Sequence, residues 1–245
     1  MENYNNFTPE DFDLDLLLNF RNKILIESSN FSTIKQICNE TLKFSRMCAI
    51  VAEPGYGKSI ALEHFVGENK NIHYMAVKKT MSTKDFYNKI LEAAGWSNRY
   101  RSSSLYSIIE SIGYYLAQSS GKHLIIIDEA GKLNHKQRLC LHDLRDAVKN
   151  NTGIILAGPK YFQNEILAQK KNDIEGIPEL LRRIDMFIEL QPPTTIEKRE
   201  LFKLNGFRNQ SLINSVLKNC VHLGDVYNVV ENFAILALRM QDNVE

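Results

Sequence analysis

The sequence has little or none of several features that mark broad classes of protein. Only four cysteines occur in 245 residues, far apart and without a CxxC pair, which argues against a zinc site and a disulfide framework. No apolar run approaches the roughly 18 residues that a membrane-spanning helix needs, and the acidic start is unlike a signal peptide. The formal net charge is +1, so any nucleic-acid surface must be local. We therefore expect a cytoplasmic globular protein with reduced thiols and no membrane partner.

Apolar runs without polar alternation recur along the chain, which is typical of strands buried on both faces of a parallel sheet. These runs lie at residues 47–52, 72–77, 124–127, 153–157 and 186–190. Helical segments separate them, so the pattern predicts an α/β fold with a doubly wound parallel sheet. Only helical segments follow the break at 191–195, which predicts a C-terminal helical lid. The predicted organisation is an N-terminal arm at 1–30, an α/β domain at 31–192 and a lid domain at 193–245.

A glycine-rich segment connects the first predicted strand to a helix. Residues 52–59 read AEPGYGKS, close to the phosphate-loop template GxxxxGK[ST] with alanine for the first glycine. Gly55 and Gly57 free the backbone to turn its N–H groups toward phosphate. Lys58 would reach the β- and γ-phosphates, and the Ser59 hydroxyl would lie on Mg²⁺. The alternative is a glycine-rich turn with a chance lysine. The predicted binding set for ATP or a similar nucleotide is Pro54, Gly55, Tyr56, Gly57, Lys58, Ser59 and Ile60.

Two carboxylates end the third predicted strand. Asp128 and Glu129 follow the aliphatic run 124–127, about 70 residues after the phosphate loop. Ligands of open parallel sheets bind outside the carboxyl ends of the strands, so both side chains are expected at the same crevice as the loop. Asp128 would hold the hydration shell of Mg²⁺, and Glu129 would polarise water for attack on the γ-phosphate. Alone, such a strand end could be merely solvated. Together with the loop it predicts ATP hydrolysis.

A pair of arginines precedes the last predicted strand. Either Arg182 or Arg183 could neutralise charge on a transferring phosphoryl group, often from a neighbouring subunit. The alternative is a surface ion pair with Glu179 or Asp185. Spacing does not choose between the two arginines.

These motifs, in this order, resemble the AAA+ superfamily, and in particular bacterial transposition ATPases of the phage Mu B, TniB and TnsC kind, with the origin-recognition ATPases as relatives. The matching segments are 49–59, 125–130, 153–158, 178–184 and 223–227. The resemblance implies an ATP site shared between subunits, with Arg183 as the residue acting in trans. It also implies self-association into a ring or filament on duplex DNA and the recruitment or activation of a transposase.

Two positions depart from the family pattern. The strand at 153–157 is followed by Gly158-Pro159, where a polar sensor residue is usual, and Tyr227 stands where the lid normally carries a sensor arginine. The resemblance then implies nucleotide binding with slow hydrolysis, as in a switch that persists on DNA.

Two basic segments are candidates for contacts with DNA phosphates. They supply Lys78 with Lys79, and Arg99 with Arg101. The alternative is a pair of solvated loops. Two other functions are kept open: a regulatory or secretion-associated AAA+ ATPase that acts on protein partners without DNA, and a nucleotide-binding scaffold that barely hydrolyses.

Overall fold

A computed structural model describes residues 8–20, 26–96 and 104–242. The chain folds as two compact units, which are described separately. The sheet unit comprises Thr33–Glu53 and Lys58–Leu190, and the helical unit comprises Met1–Ser32, Pro54–Gly57 and Gln191–Glu245.

Five parallel strands form the sheet, in the order β2-β3-β4-β1-β5. They are β1 Met47–Val51, β2 Ile72–Ala76, β3 His123–Asp128, β4 Thr152–Gly158 and β5 Met186–Glu189. All five predicted strands are confirmed, and so is the α/β fold class. The three central strands β1, β3 and β4 are buried along their whole length, which explains why their sequences lack polar alternation.

The helices carry the rest of the regular structure. They are α1 Leu14–Leu18, α2 Ser29–Phe44, α3 Lys58–Glu68, α4 Thr83–Ala93, α5 Leu105–Gln118, α6 His135–Leu139, α7 Leu141–Val148, α8 Lys160–Lys171, α9 Ile177–Arg183, α10 Thr195–Leu204, α11 Gln210–Leu217 and α12 Leu223–Asp242. Two of them, α2 and α8, were not expected from the sequence, because α2 is only loosely helical in its apolar spacing and α8 is mostly polar. Helices α6 and α7 are separated only by Cys140, whose N–H bonds back to the carbonyls of both Lys136 and Arg138.

Capping side chains fix the starts of several helices. Ser82 and Asp85 form a reciprocal capping box at α4, and Thr194 and Glu197 form another at α10. Each box satisfies two backbone N–H groups that have no partner inside the helix. The second box explains why α10 begins immediately after the proline-containing segment at 191–193.

Helices cover both faces of the sheet. On one face Ala49, Ile125 and Leu156 share a core with side chains of α4, α5, α7 and α9. The opposite face carries Cys48 and Gly153, which meet α2. A Cβ atom on Gly153 would lie 2.3 Å from the Thr41 carbonyl oxygen, so a side chain there would overlap the helix backbone. This close approach explains the glycine in the middle of a buried strand.

The helical unit has its own aromatic core. The Phe12 ring lies 5.0 Å from the Phe207 ring and 5.4 Å from the Phe233 ring, and Leu17 is fully buried beside them. The Asp13 N–H donates to the Gly206 carbonyl at 2.7 Å. Residues 12–17, which the sequence suggested as part of an arm, therefore pack into this core. The exact domain boundaries stay a prediction.

The close packing at position 153 leads to a stability prediction. Gly153→Ala should lower the free energy of unfolding by about 1–3 kcal/mol, because an overpacked site forces the backbone of α2 or β4 to shift. Urea denaturation followed by circular dichroism measures the change. Gly67→Ala is the matched control, since no atom lies within 4 Å of a Cβ built on Gly67 in α3. That substitution should be neutral or stabilising by up to about 1 kcal/mol. Equal stabilities of the two variants would contradict the packing argument.

Candidate functional site

Asp128 is the last residue of β3 and lies at the edge of the sheet where the strands have their carboxyl ends. Its side chain is buried, and both carboxylate oxygens accept hydrogen bonds. Oδ1 accepts from the Glu129 N–H at 2.7 Å, and Oδ2 accepts from the Tyr74 hydroxyl at 3.0 Å. Parallel pairing of β2 with β3 sets Ala76 opposite Asp128, which brings the nearby Tyr74 within reach. The carboxylate therefore has one fixed orientation.

Lys58 lies at the first position of α3. Its Nζ donates to the Ala52 carbonyl at 3.2 Å. Burial lowers the pKa of Lys58, while the negative charges of Asp128, Glu129 and Glu53 act in the opposite direction. Together these residues form a cluster with more negative than positive charge. The sheet unit thus brings together three predicted site residues, Lys58, Asp128 and Glu129, and Ser59 follows Lys58 in the first turn of α3.

Glu129 has a left-handed backbone conformation, with φ 59° and ψ 34°. Such a conformation is rare for a residue with a long side chain and costs roughly 1–2 kcal/mol. Its carboxylate forms an ion pair of 3.1 Å with Lys132, and both side chains are about half-exposed, at 44%. Exposed pairs of this kind are weak. Glu129 therefore sits beside the buried Asp128 but keeps contact with solvent.

The glycine loop has the backbone that a phosphate cradle requires. Gly55 and Gly57 both have φ of 83°, a conformation that L side chains rarely adopt. Within the described part of the chain, the N–H groups of Gly55, Tyr56 and Gly57 donate no hydrogen bond to another residue. The N–H groups in the first turn of α3 likewise have no partner inside the helix. These donors and the glycine backbone fit an anionic phosphate ligand.

The loop packs against the start of α12 inside the helical unit. A Cβ atom on Gly55 would lie 2.8 Å from the His222 Cβ, so this position has no room for a side chain. The Leu223 N–H donates to the Gly55 carbonyl at 3.1 Å, and the rings of Tyr56 and His222 are 5.3 Å apart. Tyr227, at the expected sensor position, packs against the helical core, and burial raises its pKa.

The oxygen donors at the site suit a hard cation that is shared with a phosphate. The Ser59 hydroxyl and the Asp128 carboxylate are the ligand types that Mg²⁺ prefers. Among the residues that the structure describes, no group of three or more His, Cys, Asp or Glu side chains could hold a metal alone. Mg²⁺ usually completes its shell with water and substrate phosphates, so the residues fit a magnesium–nucleotide complex.

Arg183 does not join this cluster. Its guanidinium makes a two-point ion pair with Asp146, at 3.2 and 2.5 Å, and also donates to the Glu179 carbonyl. The guanidinium holds the pKa of the Asp146 carboxyl below its usual value. Arg182 is exposed and makes no hydrogen bond or ion pair with any described residue. The two arginines therefore differ in a way that the sequence did not reveal.

The predicted DNA contacts are only partly described. Lys78 and Lys79 are exposed and lie one residue beyond the end of β2, on the segment that leads to α4. Arg99 and Arg101 lie outside the described residues. Trp96, which precedes them in the chain, packs edge-on against Tyr115 beside the core, with ring centroids 4.9 Å apart.

Three further residues at or near the site were not predicted from the sequence: Tyr74, Lys132 and His222. Tyr74 could have been noticed as a polar side chain inside a predicted strand. Its partner is 54 positions away, so the contact depends on strand pairing that a single sequence does not specify.

A five-stranded parallel sheet with a phosphate loop after β1 and an acidic strand end on β3 defines a P-loop ATPase fold of the AAA+ type. Residues 42–166 match the family model described as AAA domain, and the chain belongs to that family. No curated protein matches the sequence.

Solved structures of replication initiators share this fold. The ORC2 protein of Aeropyrum pernix, in its ADPNP–ADP complexes, has a TM-score of 0.64 at 14% identity over 94% of this chain and 66% of that one. The ORC1 protein of the same organism, in complex with DNA, has a TM-score of 0.68 at 11% identity over 96% and 66%. Domain III of DnaA from Thermotoga maritima has a TM-score of 0.57 at 12% identity over 91% and 90%.

The chain thus spans just under two thirds of the length of the two origin-recognition proteins. At these identities the likeness concerns the fold. In the part of the chain that the structure describes, no helix is both long and apolar enough to cross a membrane.

Proposed function

We propose that this chain binds ATP with Mg²⁺ and hydrolyses it slowly. The observation that carries the proposal is that Lys58 begins α3 directly after a loop whose Gly55 and Gly57 both have φ of 83°, while Asp128 ends the buried strand β3 in the same unit as Lys58. A cation beside two carboxylates is the arrangement that a magnesium–triphosphate complex needs. The ADPNP–ADP complexes of the similar ORC2 protein support the choice of nucleotide.

Each residue would have a separate role at the phosphates. The N–H groups of the glycine loop and of the first turn of α3 would bind the β-phosphate, and Lys58 would extend to the γ-phosphate. Ser59 and Asp128 would hold Mg²⁺, which neutralises phosphate charge when it is bound. Glu129, half-exposed and next to Asp128, would orient and deprotonate the attacking water.

Glu129→Gln tests the hydrolytic role. The substitution keeps the size of the side chain but removes the base, so turnover should fall by about 10²–10⁴-fold while ATP affinity is kept. Phosphate release measures turnover, and fluorescence of a labelled ATP measures affinity. Lys58→Ala is the contrasting variant, since it removes the phosphate ligand and should weaken binding itself. Unchanged turnover in Glu129→Gln would remove this residue from the mechanism, and wild-type binding without any turnover would favour the scaffold alternative.

We further propose that the ATP site is completed by an arginine from a neighbouring subunit in a ring or filament. Resemblance to the family favours Arg183 for this role. In the isolated chain Arg183 is paired with Asp146, so it would have to leave a half-exposed carboxylate to act on a neighbour. Because this pair is bidentate, contact with a neighbouring subunit would have to supply the interaction that replaces it. Arg182, which is exposed and makes no bond to a described residue, is the alternative.

A mixing experiment tests action in trans. Arg183→Ala and Glu129→Gln should each be inactive alone, because each variant lacks one half of every shared site. A mixture should recover turnover, since an interface between the two variants combines an intact Glu129 with an intact Arg183. An arginine of this kind contributes about 10³–10⁵ in rate, so the recovery is measurable. Arg182→Ala is the matched control and should stay active. Inactivity of Arg182→Ala, with an active Arg183→Ala, would reverse the assignment.

For the cellular role we propose ATP-dependent binding to duplex DNA in support of transposition, with assembly on target DNA recruiting or activating a transposase. The complex of the similar ORC1 protein with DNA supports a DNA partner, and the motif resemblance supports the transposition branch. Lys78 and Lys79 offer exposed positive charge directly after β2. A transposase gene beside this one would support the same branch.

Salt dependence of binding tests the DNA role. Binding to duplex DNA should require ATP and weaken steeply with salt, because lysine–phosphate contacts release counterions. Replacing both Lys78 and Lys79 by Ala should lower the slope of log K against log salt by about 1 per lysine. Fluorescence anisotropy measures the affinity. The matched control replaces Lys170 and Lys171, an equally adjacent and exposed pair at the end of α8. No DNA binding at low salt would instead favour a AAA+ ATPase that acts on protein partners.

A further inference from the structure

A tyrosine on the neighbouring strand holds the acidic strand end in place. The Tyr74 hydroxyl donates to Asp128 Oδ2 at 3.0 Å, and the Glu129 N–H occupies Oδ1 at 2.7 Å. Asp128 is only 2% exposed, so little solvent is available to replace either donor. With the Glu129 N–H as its only donor, the Asp128 carboxylate could rotate about its Cβ–Cγ bond. The hydroxyl bond removes that freedom.

The hydroxyl is a neutral donor. An ordinary tyrosine has a pKa of about 10 and is protonated at neutral pH. Burial and the adjacent Asp128 carboxylate raise the pKa of Tyr74 further. A lysine or arginine in the same place would orient the carboxylate but also cancel its charge. Each carboxylate oxygen has two lone pairs, so one on each oxygen is still available to a further donor such as metal-bound water.

We propose that Tyr74 is a positioning residue for the magnesium–nucleotide complex: its hydroxyl fixes the direction in which Asp128 presents its free lone pairs. This inference rests on the nucleotide and Mg²⁺ binding proposed above. Donors that orient a metal-site carboxylate typically contribute 10–100-fold to metal affinity. Tyr74 touches neither the phosphates nor the metal directly, so it acts through Asp128.

A purely structural role is the competing explanation, and the chain contains a control for it. Tyr87 is fully buried, and its hydroxyl donates to the Gln137 carbonyl at the same distance, 3.0 Å. Tyr87 belongs to α4 and its partner to α6, away from the strand end of β3. Removing either hydroxyl deletes one hydrogen bond from the interior. Only the Tyr74 hydroxyl is bonded to a proposed metal-site residue.

The experiment compares Tyr74→Phe with Tyr87→Phe. ADPNP, which is not hydrolysed, is bound first in chelator-free buffer from which divalent metals have been removed, and Mn²⁺ is then titrated into the complex and followed by electron paramagnetic resonance. Tyr74→Phe should keep its ADPNP affinity in metal-free buffer but bind Mn²⁺ at least about tenfold more weakly. Tyr87→Phe should bind both as the wild type does. Both variants should melt a few degrees lower, about 2–4 °C. Wild-type Mn²⁺ affinity in Tyr74→Phe would overturn the proposal.

A second comparison covers the case in which Tyr74→Phe folds poorly because a charged oxygen loses its donor. Asp128→Asn and the double variant Asp128→Asn with Tyr74→Phe contain no buried carboxylate there. If Tyr74 acts through Asp128, these two should bind Mn²⁺ equally weakly. Weaker Mn²⁺ binding in the double variant than in Asp128→Asn would contradict the inference that Tyr74 acts through Asp128. Failure of the wild type to bind ADPNP at all would instead overturn the proposed function, and this inference with it.

Discussion

Three central strands, β1, β3 and β4, are buried on both faces, so their backbone groups find partners only in the strands beside them. Parallel pairing then brings all the carboxyl ends to one edge of the sheet. At that edge a chain leaving a strand can turn and expose polar groups without burying them unsatisfied. Asp128 is the last residue of β3, and Lys58 follows the turn after β1. The register of the sheet, rather than any local preference, therefore sets the distance between cation and carboxylate.

Local signals in the sequence were sufficient to predict the five strands and the glycine loop. The aliphatic runs predicted all five strands because a doubly covered strand excludes polar residues, and the GxGKS turn predicted the loop because its glycines need positive φ. The helices α2 and α8 were missed because their polar composition weakens the helical period, and packing against the sheet unit stabilises them instead. The bonds from Tyr74 to Asp128 and from Arg183 to Asp146 join residues 54 and 37 positions apart, and tertiary structure alone creates them.

The electrostatics of the site suit binding more than rapid turnover. Asp128 is buried and accepts two hydrogen bonds, whereas the half-exposed Glu129 carboxylate pairs with Lys132 and its backbone has a costly left-handed conformation. Tyr227 stands where the family's lid normally carries a sensor arginine, and it packs against the core of the helical unit. These features fit the slow hydrolysis proposed above. Solved structures of two ORC proteins and of DnaA domain III share the fold.

The contact between Gly55 and the start of α12 has a mechanical consequence. The Leu223 N–H bonds directly to the Gly55 carbonyl, and a Cβ atom on Gly55 would lie 2.8 Å from the His222 Cβ, so the loop and the start of α12 are in direct contact. Helix α12 has 20 residues, which makes it a rod about 30 Å long. A tilt of about 10° at the loop would carry the far end of such a rod through roughly 5 Å. A small tilt of α12 that starts at the phosphate loop would therefore produce a much larger displacement at the other end of the helix.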